Sequence, residues 1–279
     1  MDQSSKYTDL LLEQDGAVLT ITVNRPEVLN AQSRIMREEL DQAFDDASQD
    51  DSVKVVIVAG AGDHFSAGHD LGSPQEMEDR EKRPYSPGTA GEYERSWQQN
   101  VANTLRWRDF PKPTIARVHG YCIMGGIILA SSCDLIVASE DARFSDRTVR
   151  WGGPHVQFVS LPWEIGIRKA KEYLFTGDWM RAHEAERLGL VNRVVSRDKL
   201  EEETMELAQR IALQDPFALR LSKASLNQVQ DQMGYRNSMM SGFHNHALGL
   251  SHRRELAGDE RVTSIDRARN RDKKFGDGG

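Results

Sequence analysis

Two β-branched runs, each leading directly into a glycine-bearing loop, constrain this chain more than any other feature. Val53-Lys-Val-Val-Ile-Val-Ala59 is almost continuously apolar, the pattern of a strand covered on both faces rather than one. It runs into Gly60-Ala-Gly-Asp-His-Phe-Ser-Ala-Gly68. Thr114–Val118 predicts another strand and runs into His119-Gly-Tyr-Cys-Ile-Met-Gly-Gly126, which opens an apolar, helix-like run through Ala130. A sheet covered on both faces needs helices on both sides. The rest of the chain supplies them. Ala17–Val23 alternates in period two and stops at Asn24-Arg25-Pro26, and Leu135–Ala138 adds a further strand. Ser33–Ala47 carries Ile35, Met36, Leu40, Phe44 and Ala47 at helical spacing, and Ser96–Arg108, Lys199–Leu213 and Pro216–Met233 also read as helices. This alternation predicts an α/β fold with short crossovers.

Composition narrows the function classes. Mean hydropathy is −0.60, no apolar run approaches the length that crosses a bilayer, and Met1-Asp-Gln-Ser-Ser lacks the pattern of a secretory signal. A net charge of −7 leaves no cationic excess for binding nucleic acid by phosphate neutralisation. Cys122 and Cys133 show no CxxC spacing, so neither a disulfide scaffold nor a zinc module is expected, no metal site is assigned, and a reduced cytoplasmic setting is the default. The 38% hydrophobic fraction is unevenly spread. Polarity gathers in residues 72–96, read as a long mobile loop or partly helical lid, and in the tail after Arg253, which leaves enough apolar chain for a core.

The two glycine loops hold the chemistry. Glycines at a helix start allow close backbone approach and leave N–H groups without intrahelical acceptors. Neither loop matches GxxxxGK[ST] or GxGxxG. Alone, each reads as a tight turn. Together they offer two convergent backbone donors, the recipe for an oxyanion hole.

Asn24-Arg-Pro-Glu-Val-Leu-Asn-Ala31, Phe65-Ser-Ala-Gly-His-Asp-Leu71, Pro111-Lys-Pro-Thr-Ile-Ala116 and Gly120-Tyr-Cys-Ile-Met-Gly-Gly126 resemble, in order and spacing, segments of the enoyl-CoA hydratase/isomerase (crotonase) superfamily. Cys133-Asp-Leu-Ile-Val-Ala138, Phe175-Thr-Gly177 and Ala182–Val191 continue the likeness. The resemblance implies a crotonase-like spiral of ββα turns over residues 1–200 and a helical C-terminal trimerisation region over 201–279. It implies coenzyme A thioester substrates, a homotrimer or dimer of trimers, and no cofactor beyond the coenzyme A of the substrate. By the same resemblance, the N–H groups of Ala67 and Gly125 hold the thioester oxygen. Arg25, Val28, Leu29 and Ala31, with Ala67, Gly68, His69, Asp70 and Leu71, line the coenzyme A path, and Lys273 and Lys274 are candidates for its phosphates.

The chain departs from that pattern at both acid/base positions. Where a hydratase of the family carries glutamates, this sequence has Ile128 and Thr148, neither of which exchanges a proton near neutral pH. Met124 replaces the first glycine of the usual triplet. His69, His155 and Asp146 are the candidate replacements. Each has a plain alternative: a loop histidine bonding local backbone, or an aspartate paired with Arg143, Arg147 or Arg150. Asp70 and Asp134 read as a turn cap and a backbone acceptor. Tyr93, Glu94 and Trp97 are possible covers for the acyl group. The expectation is an acyl-CoA enzyme with unusual acid/base groups. Decarboxylation or hydrolysis through His69 and His155, and catalytically silent acyl-CoA binding, stay open as alternatives.

Overall fold

The computed structural model describes residues 6–257. Strands β1 (Leu10–Asp15) and β2 (Val18–Val23) form an antiparallel hairpin through Gly16, whose φ of +56° suits glycine. Helix α1 (Arg34–Gln49) follows, capped by Ser33 Oγ, which accepts the Met36 N–H at 3.0 Å. It buries Met36, Leu40, Ala43, Phe44 and Ala47 along one stripe. Strand β3 (Val55–Gly60) then pairs parallel to β2.

The region expected as a long mobile loop or partly helical lid takes the helical form, with two helices, α2 (Pro74–Lys82) and α3 (Gly88–Trp97). Helix α2 has little apolar period. Polar contacts fix it instead: Ser73 caps it, Arg34 pairs with Asp79, and Arg80 Nε donates to Glu76 Oε1 at 2.8 Å. A π-helical stretch, residues 98–102, joins α3 to α4 (Asn103–Arg108).

After the proline break come β4 (Thr114–Val118), β5 (Tyr121–Ile123) and α5 (Gly125–Ser132), then β6 (Leu135–Ser139) and β7 (Arg143–Ser145). Helices α6 (Leu161–Ile165) and α7 (Ile167–Thr176) precede β8 (Met180–Arg181), α8 (Ala182–Leu188) and β9 (Arg193–Val195). The large sheet is ordered β1-β2-β3-β4-β6-β9 and the small one β5-β7-β8. Strands β4 and β6 of the large sheet are each followed by a strand of the small one, β5 and β7, and then by helix, so these two turns of the spiral read ββα.

Both faces of the large sheet are buried. Val56, Val58, Ala116 and Val118 join the main core with α1 and α5. Val55, Ile57, Ile115 and Val137 face Leu200, Ala208 and Ala212 of α9 (Leu200–Ala212). Helix α9, which the sequence groups with the C-terminal region, is thus the second cover of the sheet. Each fully buried aliphatic side chain here contributes about 1.5–3 kcal/mol. Helices α10 (Pro216–Gln232) and α11 (Tyr235–Ala257) follow. Tyr235, Met239 and Phe243 of α11 pack with Val101, Ile128, Val156 and Phe158, which sets α11 beside α5. No described helix is long and apolar enough to cross a membrane.

Candidate active site

Gln32 stitches the two glycine loops together. Its N–H donates to Gly68 O at 2.7 Å, its carbonyl accepts from Asp70 N–H at 3.0 Å, and its Nε2 donates to Gly125 O at 2.9 Å. Ser66 adds two bonds to the second loop, Ser66 N–H to Tyr121 O at 2.9 Å and Ile123 N–H to Ser66 O at 3.0 Å. The loops pack so closely that Gly68, at φ +94°, has no room for a side chain: a β-carbon there would lie 2.7 Å from Ile123 O. A β-carbon on Gly125 would lie 3.0 Å from His69 N and 2.7 Å from its ring Cδ2.

This geometry corrects the expected donor pair. The Ala67 N–H already donates to Leu29 O at 2.9 Å. His69 forms a parallel bridge with Gln32 in which only its neighbours Gly68 and Asp70 bond the partner, so its own N–H points away. Gly125 is the first residue of α5 and has no intrahelical acceptor. Among the described residues neither the His69 nor the Gly125 N–H has a hydrogen-bond partner. The free pair is His69 with Gly125. Two such donors suit a developing oxyanion, and one is typically worth about 3 kcal/mol.

The His69 imidazole sits over Gly125. Burial pushes its pKa well below the usual histidine range, and the charges of Arg37 and His246 act in the same direction. His246, on α11, is buried, and its Nδ1–H donates to the His155 carbonyl at 2.6 Å. Burial lowers its pKa too. His155 turns its own Nδ1–H to Val156 O at 2.7 Å and packs against Gly242 of α11.

Asp146 is a structural acceptor in this arrangement. Its Oδ1 takes the Thr148 N–H at 3.0 Å and the Thr148 hydroxyl at 2.5 Å, and its Oδ2 takes the Val156 N–H at 2.9 Å. Ile128 is buried in the apolar cluster with Val101, Phe158 and Met239. Met124 adopts φ +48°, a conformation that glycine adopts freely and methionine only with strain. Its N–H is tied to Ser145 O at 3.0 Å.

The expected coenzyme A-lining residues divide. Arg25 is buried: its Nη1 donates to Asp70 Oδ2 at 2.8 Å and to the Ala31 carbonyl, its Nη2 to Ser73 Oγ at 2.8 Å, and its Nε lies 3.6 Å from Asp9. Asp70 also accepts the N–H groups of Gly72 and Ser73, the turn cap expected of it. Val28 and Ala31 are half-buried, while Leu29 and Leu71 are exposed. Asn30 holds this loop by donating to Ala61 O and His64 O. Asp134 accepts the Thr114 N–H at 2.7 Å, as expected. Tyr93 and Trp97 pack on Phe243 of α11, and the Tyr93 hydroxyl meets His244 Nε2 at 2.9 Å. Lys273 and Lys274 lie outside the described residues.

Sequence reasoning missed Gln32, Arg37 and His246. Arg37 had a signal, a basic residue in the same helical stripe as Leu40 and Phe44. His246 had none, because only the packing of α11 brings it beside His69.

The chain is similar to known proteins over most of its length. The profile of the family described as Enoyl-CoA hydratase/isomerase matches residues 13–247. The Mycobacterium tuberculosis protein named EchA13 is 42% identical over 256 residues, covering 88% of this chain and 80% of its own. The short-chain-enoyl-CoA hydratase of Clostridium acetobutylicum is 34% identical over 228 residues, 80% of this chain and 82% of its own. A crystal structure of a probable enoyl-CoA hydratase from Mycobacterium smegmatis superposes with a TM-score of 0.83 at 43% identity, covering 90% of this chain and 97% of that one. The likeness extends to the α/β crotonase fold itself.

Proposed function

The chain belongs to the enoyl-CoA hydratase/isomerase family, and on that premise we propose that it is an enzyme acting on an acyl-CoA thioester, whose carbonyl oxygen is held by the N–H groups of His69 and Gly125. The single observation that carries this is that the two loops bring the unbonded N–H groups of His69 and Gly125 close together, a β-carbon on Gly125 lying only 3.0 Å from His69 N. Backbone donors fixed by the surrounding fold stabilise charge on the oxygen as it forms, because they need no reorganisation at that moment.

The proton-transfer group in this reading is the His69 imidazole, with His246 beside it. Ile128 has no proton to exchange, and Thr148 has its hydroxyl bound to Asp146. The two-carboxylate route to hydration therefore has no support. A neutral imidazole is ready to accept a proton near pH 7, and its depressed pKa keeps it neutral. Asp146 serves in this reading to hold the Thr148–Val156 loop and His155 to position His246. Arg25 and Asp70 shape the coenzyme A path through the backbone of residues 25–31.

Assembly as a homotrimer or dimer of trimers belongs to the same proposal. Its support is the apolar surface that the C-terminal helices leave exposed, with Phe217 65%, Leu226 69% and Met233 69% accessible. Sedimentation of the full chain tests it, and a monomer at micromolar concentration contradicts it.

The test of function is turnover of acyl-CoA thioesters by wild type, His69→Ala and Gly125→Pro, followed by loss of the conjugated thioester absorbance of crotonyl-CoA and by product analysis across a thioester panel. His69→Ala keeps the backbone donor and loses the ring, so thioester binding persists while turnover falls. Gly125→Pro loses a donor, so both fall. Turnover that survives either change intact contradicts the proposal.

A further inference from the structure

Near His69 lies a buried cation with no carboxylate in hydrogen-bond contact, Glu76 acting on it only at longer range. Arg37 is 9% exposed. Its Nη1 donates to Asn100 Oδ1 at 2.5 Å, its Nη2 to Gln99 Oε1 at 3.4 Å, and its buried Nε has no partner among the described residues. Both acceptors are neutral amides on the π-helical stretch between α3 and α4. Such stretches are uncommon and recur at functional sites. The carboxylates nearby are committed elsewhere. Glu76 accepts from Arg80 Nε at 2.8 Å and from the Arg34 N–H at 2.9 Å, and Asp79 is held by Arg34 and Arg83. The other nearby cations have partners: Arg80 has Glu76, and Arg95 lies 3.6 Å from Glu92.

A buried guanidinium left with amide acceptors alone destabilises the free protein. An incoming anion offsets that cost by completing the pair. Arg37 lies near enough to His69 for its charge to act on the imidazole, and its acceptor Asn100 directly precedes Val101, which packs with Ile128 one turn along the helix that Gly125 opens. His69 is held neutral, so no imidazolium beside it competes for the anion.

We infer that Arg37 recognises a carboxylate on the acyl group, which makes the preferred substrate a CoA monothioester of a dicarboxylic acid. The inference rests on the thioester reading above and adds the acyl chemistry to it. Guanidinium binds carboxylate in a planar, charge-assisted fork, and the orphaned Nε together with Nη2, whose present contact with Gln99 is long at 3.4 Å, supplies the side-on edge of such a fork.

The experiment measures dissociation constants of the full-length protein for malonyl-, succinyl- and glutaryl-CoA, each against the uncharged thioester of equal carbon number, propionyl-, butyryl- or pentanoyl-CoA, with free CoA as reference. At least one dicarboxylic thioester is expected to bind about tenfold or more tightly than its uncharged counterpart, the scale of a desolvated charge pair. Arg37→Met brings that ratio to near one, and Arg37→Lys retains part of it. The wild-type ratio needs no variant, so it stands even where a substitution unfolds the protein. Uncharged thioesters binding as well as charged ones overturns the inference. A parallel loss of free CoA binding in Arg37→Met overturns it too, by assigning Arg37 to the phosphates. If no thioester of either class binds more tightly than free CoA, the thioester reading itself fails, and this inference with it.

Discussion

His69 and Gly125 approach so closely that a β-carbon on Gly125 would lie 3.0 Å from His69 N, and the backbone N–H of each has no hydrogen-bond partner among the described residues. Two features of distant parts of the chain create this relationship. The parallel bridge to Gln32 turns the His69 N–H outward, and the start of α5 leaves the Gly125 N–H without an acceptor.

Gly125→Ala drives a methyl group into His69. The added methyl meets His69 Cδ2 at 2.7 Å and Nε2 at 2.9 Å as well as its backbone nitrogen. The ring can rotate away, but the backbone cannot. Turnover is expected to fall about 10²- to 10³-fold, as on losing a hole donor, while the circular dichroism spectrum stays that of wild type.

The Arg25–Asp70 pair is a stability element. Asp70→Ala removes the carboxylate 2.8 Å from Arg25 Nη1 and leaves a buried guanidinium with Asp9 at 3.6 Å. Removing one partner of a buried pair costs about 3–5 kcal/mol. The unfolding midpoint in urea is expected to drop accordingly, and Arg25→Met with Asp70→Leu together should recover much of the loss.

Acid should weaken the fold through His119. Burial pushes its pKa down from 6.5 to about 4, while its Nε2–H donates to Gly62 O at 3.0 Å. The unfolded chain binds this proton near pH 6.5 and the folded one only near 4. The contribution is therefore intact above pH 6.5 and is lost as pH falls through that window, amounting to about 3 kcal/mol by pH 4. His119→Gln keeps a donor toward Gly62 without the titration. Between pH 7 and 4 its stability should fall less steeply than that of wild type, as read by denaturant titration at each pH.

Restoring one glutamate does not restore hydration. Ile128→Glu places a carboxyl among Val101, Phe158 and Met239, where burial keeps it protonated and lowers stability by about 1–3 kcal/mol. Thr148 still offers no second acid. Crotonyl-CoA hydration by this variant should be no faster than by wild type, and a large gain would show that the wild-type site differs from a hydratase by this residue alone.

How much of this was legible in the sequence depends on what holds each part. The strand at 53–59 was legible because its residues alternate between two covered faces, Val56 and Val58 toward α1 and α5, Val55 and Ile57 toward α9. Strand β1 was not, since Leu10-Leu-Leu-Glu-Gln-Asp15 lies at a sheet edge and lacks alternation. Helix α2 was legible only as part of a loop or partly helical lid, because the Asp79–Arg34 ion pair and the Glu76 bond to the Arg34 N–H anchor it in place of an apolar stripe. The loop that carries the unbonded N–H was legible, but which of its N–H groups stays unbonded was not. The Leu29 carbonyl decides which N–H stays free by engaging Ala67, and that long-range contact leaves no mark in Phe65-Ser-Ala-Gly-His-Asp70. The residues that fill the missing glutamate positions were legible outright, as Ile128 and Thr148.

The measurement that bears most directly on the central claim is a crystal structure of the protein with a non-hydrolysable acyl-CoA thioester analogue bound. The account predicts the analogue's carbonyl oxygen about 2.7–3.1 Å from both His69 N and Gly125 N, with Ala67 N–H still on Leu29 O. A carbonyl oxygen bound to Ala67 N, or bound away from both glycine loops, would contradict it.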